Sequence, residues 1–221
     1  VTLVTPNNPV GAIYPPDLIE ACADVCRRAG IALVLDETYK DFRPDTAPPH
    51  HLFARDDWAD TVVHLFSFSK VFSLAGYRIG SLTADPAIIR QATKLADCMN
   101  VGTPRVSQEG VAYGLANLGD WVEARRLDME QRVATFTAAM ERDGGAFGIA
   151  SAGSFFAWVR HPFAGTSHDA ARMLADEHNL LTIPGACFGP GLDRYLRVAF
   201  GNVDLDALPD VAARFAAVSP A

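Results

Sequence analysis

The chain has 221 residues, of which 49% are hydrophobic, and a formal net charge of −7. This length allows a sizeable core and one or two domains. Its basic residues are scattered through an acidic chain, so bulk charge attracts neither nucleic acid nor an anionic membrane. No run approaches the roughly 18 apolar residues that a membrane span needs, and no signal peptide is visible. We therefore expect neither nucleic acid nor a membrane as a partner.

The cysteines give little sign of a metal site. Cys22 and Cys26 are four residues apart on a predicted helix, but no second Cys/His pair follows at metal-ligand spacing. We expect buried, reduced thiols, no bound metal and a cytoplasmic location. The chain starts at Val1 inside a strand-like run, so we expect it to be the C-terminal part of a longer protein that lacks its N-terminal segment.

Apolar runs and helical patterns alternate through the first half, which is typical of an α/β domain with a largely parallel sheet. A helix is predicted from Pro16 to about Ala29. The predicted strands are Val1–Thr5, Ile31–Leu35, Thr61–Phe66 and Tyr77–Thr83. Only about ten residues connect the last two strands, fewer than a parallel crossover requires. We therefore predict that Tyr77–Thr83 runs antiparallel to Thr61–Phe66.

Three further helices are predicted near Pro86–Cys98, Pro104–Asn117 and Asp120–Arg142. The breaker sequence Asp143-Gly144-Gly145 is the candidate domain boundary. The remainder alternates short strands and helices, predicted at Phe155–Arg160, His168–His178, Leu180–Ile183, Tyr195–Phe200 and Leu205–Val218. We therefore expect a mostly parallel α/β large domain, truncated, at residues 1–143 and a small α+β domain at residues 144–221.

The strongest local feature is the stretch from Ser67 to Gly80, which begins where a buried strand ends. Sites in α/β sheets lie at such carboxyl ends. Ser67, Ser69 and Arg78 supply hydroxyls and a guanidinium, which suit a phosphate, and Lys70 lies among them. A lysine in such a setting can form a Schiff base. Taken alone, Lys70 is more typical of an ordinary solvated loop lysine.

Two other strand ends carry polar sets. Asp36 and Tyr39 follow the strand Ile31–Leu35, and Asn8 follows the first strand in the sequence Asn-Pro-Val-Gly. Asp36 could instead cap a helix, and Asn-Pro with Gly could simply form a turn. Because three strand ends each carry such a set, we predict that they form one shared pocket.

The order Asn8-Pro9-Val10-Gly11, Asp36-Glu37-Thr38-Tyr39 and Ser67-Phe68-Ser69-Lys70 with Arg78 resembles the class I/II aminotransferases, enzymes of pyridoxal-phosphate (PLP) fold type I. Val10 departs from the threonine common in that family. The resemblance implies the following roles: Lys70 binds PLP as a Schiff base and is catalytic, Asp36 pairs with the pyridine nitrogen, Asn8 and Tyr39 bind the ring's phenolate oxygen, and Ser67, Ser69 and Arg78 bind the phosphate.

A substrate clamp is predicted in the second half. Leu196, Val198 and Phe200 share one face of a strand, so Arg197 points the other way, where a guanidinium can bind a carboxylate bidentately. Arg194 is a rival, and an edge-strand arginine with its head in solvent is the ordinary alternative. The resemblance places the substrate-carboxylate arginine at Arg197, with Asn8 also at the substrate.

The resemblance implies transamination between an α-amino acid and a 2-oxo acid by a homodimer of the full-length protein. A PLP-dependent β-lyase of the same fold would use the same residues. A PLP-sensing regulatory domain, fused to a DNA-binding segment, is an alternative of a different class. We expect the 221-residue chain alone to expose sheet edge and apolar surface and to be inactive.

Overall fold

The computed structural model describes residues 1–218 and contains two compact units. The first unit comprises Val1–Pro6 and Ile13–Arg126, and the second comprises Asn7–Ala12 and the chain from Leu127 onward. The short segment Asn7–Ala12 therefore belongs with residues more than a hundred positions later. The domain division that we proposed at Asp143 stays a prediction, and the last three residues of its second domain lie outside the described residues.

The first unit holds a four-stranded sheet and its helices. Its elements are β1 (Thr2–Val4), α1 (Pro16–Arg28), β2 (Leu33–Asp36), β3 (Val62–Ser67), α2 (Phe68–Val71), β4 (Gly80–Thr83), α3 (Pro86–Asn100), α4 (Arg105–Asn117) and the start of α5 (Gly119–Asp143). The strand order is β1-β2-β3-β4, with the first three strands parallel and β4 antiparallel to β3. The predicted antiparallel direction of β4 is confirmed. The connection between β3 and β4 is too short for the crossover that a parallel strand would need.

Helix α1 covers one face of this sheet. Pro16 starts the helix at a position where its missing N–H costs no hydrogen bond. Ile19, Ala23 and Cys26 lie at helical spacing and are buried together with Leu33 and Leu35 of β2. Burying side chains of the size of Leu and Ile stabilises the fold by about 1.5–3 kcal/mol each. The buried stripe of α1 therefore fixes β2 in the sheet.

The second unit is built on an antiparallel sheet. Its elements are the rest of α5, β5 (Gly148–Gly153), β6 (Phe156–Arg160), α6 (Ser167–His178), β7 (Ile183–Pro184), β8 (Tyr195–Ala199) and α7 (Leu208–Ala216). The strand order is β5-β6-β8-β7. Strand β5 was not predicted, and β7 is shorter and later than the predicted Leu180–Ile183. The sequence Gly-Ile-Ala-Ser-Ala-Gly of β5 has low β-propensity and contains a bulge between Ile149 and Ser151.

Aromatic pairs form the core of the second unit. The Phe136 and Phe200 rings stack with centroids 4.8 Å apart, and the Phe147 and Phe215 rings meet edge to face at 4.9 Å. Helix α6 begins with a capping box, in which Thr166 accepts from the Asp169 N–H and Asp169 accepts from the Thr166 N–H. The aromatic pairs attach α5 and α7 to the rest of the unit, and the capping box stabilises the start of α6.

Several large apolar side chains are exposed in the first unit, as we expected. They include Leu82 on β4, Ile88, Leu95 and Met99 on α3, and Val106, Tyr113 and Leu115 on α4. All four residues of β4 are exposed, at the edge of the sheet. Within residues 1–218, no helix combines the length and the apolar character needed to cross a bilayer.

Candidate active site

The tip of β2 carries Asp36 and is held on both sides by main-chain hydrogen bonds. The Thr5 N–H donates to the Asp36 carbonyl at 3.0 Å, and the Glu37 N–H donates to the Leu65 carbonyl at 3.0 Å. The Asp36 carboxylate accepts from the Thr38 N–H at 3.0 Å and from the Thr38 hydroxyl at 2.6 Å. Asp36 therefore has one carboxylate oxygen oriented by Thr38.

Tyr39 lies three residues beyond Asp36, where a short 3₁₀ turn over Lys40–Phe42 begins. The Lys40 N–H donates to the Glu37 carbonyl at 2.9 Å, which turns the chain at the end of the strand. The Tyr39 side chain is buried. This turn keeps Tyr39 near the end of the sheet.

The end of β3 passes directly into the four-residue helix α2. Phe68 and Val71, three residues apart on this helix, are buried, so the intervening Ser69 and Lys70 face outward. Ser67 caps the helix: its hydroxyl accepts from the Ser69 N–H at 3.3 Å and donates to the Ser69 hydroxyl at 2.9 Å. Lys70 is exposed. The two predicted serines are therefore in direct contact, and Lys70 directly follows the second of them.

Arg78 lies on the return from α2 to β4. It has a left-handed backbone conformation with φ of 50° and donates from Nη1 to the Ala75 carbonyl at 2.9 Å. Two residues later, a Cβ on Gly80 would come within 2.8 Å of the Phe66 carbonyl oxygen. The glycine therefore allows β4 to pair closely with β3, directly after Arg78.

The strand register gives the distance between Asp36 and the segment Ser67–Lys70, which includes the end of β3 and most of α2. Asp36 is paired with Leu65, two residues before Ser67 on the neighbouring parallel strand. From the spacings of parallel strands, the main chains of Asp36 and Ser67 lie roughly 8 Å apart. Neighbouring segments at one end of the sheet thus carry a carboxylate, two hydroxyls, an amine and a guanidinium. This set of groups fits a phosphorylated cofactor with a basic ring nitrogen.

The second unit holds the other two predicted site residues in direct contact. Arg197 Nη1 donates to Asn8 Oδ1 at 2.8 Å. Leu196 and Val198 are buried on the opposite face of β8, as the alternation predicted. The guanidinium carbon lies 4.9 Å from the centroid of the Phe156 ring and 5.2 Å from that of Phe188. Aromatic faces on Phe156 and Phe188 stabilise the cation and limit its movement.

The turn that carries Asn8 is packed closely against the β5–β6 hairpin. A Cβ on Gly11 would come within 2.5 Å of the Gly153 nitrogen, and Gly11 has a φ of +73°. The Ser151 hydroxyl donates to the Val10 carbonyl at 2.5 Å. The Asn8–Pro9 peptide bond is cis. Gly11 is therefore required both by its conformation and by the space available.

A buried cluster next to Asp36 was only partly anticipated. Glu37 is 2% exposed, and its carboxylate lies 3.0 Å from His64 Nε2 and 3.5 Å from His50 Nε2. Burial alone would raise the pKa of Glu37, but hydrogen bonds and charge from the two histidines outweigh burial and lower the pKa to about 2. His64 lies inside the predicted strand Thr61–Phe66, and its ring is hydrogen-bonded to Glu37 in this cluster. His50 carried no sequence signal, because its partners are distant in the chain.

The cysteines and histidines form no candidate metal centre within the part of the chain that the structure describes. The four cysteines are free thiols. Cys26 is buried and Cys22 partly so, whereas Cys98 and Cys187 are exposed.

Residues 1–215 match the sequence model of the family described as aminotransferase class I and II. The aromatic aminotransferase ISS1 of Arabidopsis thaliana is 30% identical over 220 residues, which cover 97% of this chain and 54% of that protein. An LL-diaminopimelate aminotransferase of Nitratidesulfovibrio vulgaris is 26% identical, covering 96% of this chain and 54% of its own length. The substrate-bound structure of BacF from Bacillus subtilis superposes with a TM-score of 0.86 at 25% identity, covering 97% of this chain and 55% of that one. The chain thus spans about half the length of these relatives.

Proposed function

We propose, from the premise that this chain belongs to the aminotransferase class I and II family, that the protein containing it moves an amino group from an α-amino acid to a 2-oxo acid. The proposed cofactor is pyridoxal 5′-phosphate. One observation carries the proposal: Asp36 and the segment Ser67–Lys70 lie at the carboxyl ends of neighbouring parallel strands in the first unit. The aminotransferase and transaminase names of the relatives support the same reaction.

The proposed phosphate ligands are Ser67, Ser69 and Arg78. Two hydroxyls already in contact provide adjacent donors, and a guanidinium can bind two phosphate oxygens at once. Lys70, one residue after Ser69 and facing outward from α2, is the proposed covalent attachment point. Asp36 would accept a hydrogen bond from the protonated ring nitrogen, while Tyr39 and Asn8 would hydrogen-bond the ring's phenolate oxygen.

When bound, pyridoxal phosphate supplies an electron sink for the carbanion that forms at the substrate Cα. Proton transfer depends on the chain's own residues. The Lys70 amine, once displaced by the substrate amine, would be the general base that removes the Cα proton and the acid that delivers it to the C4′ carbon of the cofactor. The Asp36 carboxylate holds a proton on the ring nitrogen. No other described side chain of the site is needed for proton transfer in this proposal.

Arg197 is the proposed ligand of the substrate α-carboxylate, together with Asn8. The contact at 2.8 Å between them orients the guanidinium before substrate arrives, and the two phenyl rings restrain it further. A restrained guanidinium loses less conformational freedom when it binds a carboxylate. The proposal extends to a homodimer, which the family resemblance implies, and to the cytoplasmic location expected from the cysteines.

The test uses the complete gene product rather than this chain alone, for which we expect little or no turnover. Replacing Lys70 with alanine should abolish the absorbance band of covalently bound cofactor and reduce transamination to background. Lys94→Ala, which removes an exposed lysine of α3, is the matched control and should leave both unchanged.

An amino-acid screen that follows the spectral change of the half-reaction would identify the amino donor. Release of ammonia and a 2-oxo acid without any amino-group acceptor would instead identify a lyase. A Lys70→Ala protein that keeps both the band and the turnover would contradict the assignment, and full activity of the 221-residue chain alone would contradict the expectation that it is inactive.

A further inference from the structure

The buried carboxylate of Glu37 has a location that an ordinary core ion pair does not require. It directly follows Asp36, and its own main chain forms the end of the strand: the Glu37 N–H donates to the Leu65 carbonyl and the Glu37 carbonyl accepts from the Lys40 N–H. Side chains alternate along a strand, so Glu37 points to the face that holds Leu33 and Leu35, opposite to Asp36. Any movement of Glu37 therefore moves the peptide that carries Asp36.

Two histidines from different segments hold this carboxylate. His64 lies on β3, in register with Leu35, and its Nε2 is 3.0 Å from Glu37 Oε2. His50 belongs to the segment before β3, and its Nε2 is 3.5 Å from Glu37 Oε1. His50 Nδ1 accepts from the Leu52 N–H at 3.1 Å, so the proton of a neutral His50 ring is on Nε2, facing Glu37. Each carboxylate oxygen of Glu37 thus lies next to a different imidazole ring.

The surroundings keep this cluster in one arrangement. The Phe53 ring lies 5.2 Å from the His50 ring and 5.3 Å from the His64 ring, so it packs against both imidazoles. Glu37 and His50 are buried, which excludes water that could replace either contact. A buried carboxylate that is hydrogen-bonded to His64 and has the His50 ring 3.5 Å from its other oxygen is costly to leave unpaired, which favours this position of the side chain.

We propose that Glu37 is a positioning residue: clamped between His50 and His64, it fixes the tip of β2 and thereby the orientation of Asp36 toward the ring nitrogen of the cofactor. This inference rests on the proposed function, because it assigns Asp36 to that nitrogen. Glu37 itself does not touch the cofactor. Its effect is exerted through the peptide that it shares with Asp36.

The test compares Glu37→Gln with Glu20→Gln in the complete gene product. Glu20 is a suitable control because its carboxylate accepts from the His51 N–H and pairs with Arg55, so its loss disturbs the same loop without touching the tip of β2. Three quantities are measured: the dissociation constant of pyridoxal phosphate, the pH midpoint of the cofactor's absorbance change, and the melting temperature of the cofactor-free protein.

For Glu37→Gln we expect the dissociation constant of pyridoxal phosphate to rise about tenfold or more, by analogy with metal sites that lose a group holding a ligand in place. We also expect the absorbance midpoint to shift. Glu20→Gln should change neither. His64→Gln removes one of the two histidines that hold Glu37, and we expect the dissociation constant to rise about threefold, less than for Glu37→Gln. This variant carries the test if Glu37→Gln does not fold.

A purely structural role would lower the melting temperature but leave the affinity and the absorbance midpoint of the folded variants at wild-type values, and that result would overturn the inference. An equal loss of affinity in Glu20→Gln would also overturn it. If the wild-type protein binds pyridoxal phosphate through Lys70 while Glu37→Gln behaves as wild type, only the positioning role fails. If the wild-type protein shows no Lys70-dependent cofactor band, the proposed function fails, and this inference with it.

Discussion

The low pKa of Glu37 makes the stability of the protein depend on pH in a predictable window. In the folded chain the pKa of Glu37 is lowered from 4.5 to about 2 by His50 and His64, against the opposing effect of burial. A carboxyl group whose pKa is lower in the folded state stabilises the fold fully above its unfolded pKa. That stabilisation is lost as the pH falls from about 4.5 through about 2.

The magnitude follows from the size of the shift. Each pKa unit corresponds to about 1.4 kcal/mol, so a change from 4.5 to about 2 gives about 3 kcal/mol at neutral pH. At pH 3 less than half of this remains, because the unfolded group is then almost fully protonated and the folded group only partly. Glu37 is buried, so solvent screens its interaction with the two histidines only weakly.

Urea unfolding of the complete gene product, followed by tryptophan fluorescence between pH 7 and pH 3, measures this contribution. The free energy of unfolding of wild type minus that of Glu37→Gln should be about 3 kcal/mol at pH 7 and should shrink as the pH falls below about 4.5. Glu20→Gln, which removes a more exposed carboxylate, should give a smaller and flatter difference. A Glu37→Gln difference that stays constant from pH 7 to pH 3 would refute the reasoning.

Two further predictions concern the second unit. Arg197→Lys keeps the charge but loses the bidentate fork, so kcat/KM for the amino-acid substrate should fall by about a hundredfold in steady-state assays; an unchanged kcat/KM would reject Arg197 as the carboxylate ligand. Gly11→Ala should destabilise the protein by about 3 kcal/mol in thermal unfolding, since its Cβ would meet Gly153 and its φ is positive. Gly30→Ala has a φ of +64° but no atom within 4 Å of the new Cβ, so it should cost only about 1 kcal/mol; equal losses would show that space at Gly11 is unimportant.

The sequence predicted those parts of the fold that depend on local pattern or on chain length. Helix α1 followed from Pro16 and the apolar spacing of Ile19 and Cys26, and the structure confirms it. The antiparallel direction of β4 followed from the length of one connection. The outward direction of Arg197 followed from strand alternation, because Leu196 and its neighbours needed the buried face.

Features that depend on contacts between distant segments could not be predicted in this way. Strand β5 has no apolar alternation, and it forms because β6 supplies its hydrogen-bonding partner. The contact of His50 with Glu37 depends on how a loop folds back over β2, and no spacing in the sequence indicates it. Sequence reasoning identified Asn8 by its motif, but its grouping with Leu127 and later residues emerged only from the structure. The prediction that all three strand ends form one pocket remains to be tested.

The bond from Arg197 to Asn8 joins positions 189 residues apart, which has a consequence for how the protein is made. At typical translation rates of 5–20 residues per second, roughly 10 to 40 seconds separate the synthesis of these two residues. The turn that carries Asn8 is therefore among the first parts of this chain to leave the ribosome, but its bond to Arg197 can form only after most of the chain has been made. A translational pause ahead of Arg197 would lengthen the interval before it can settle.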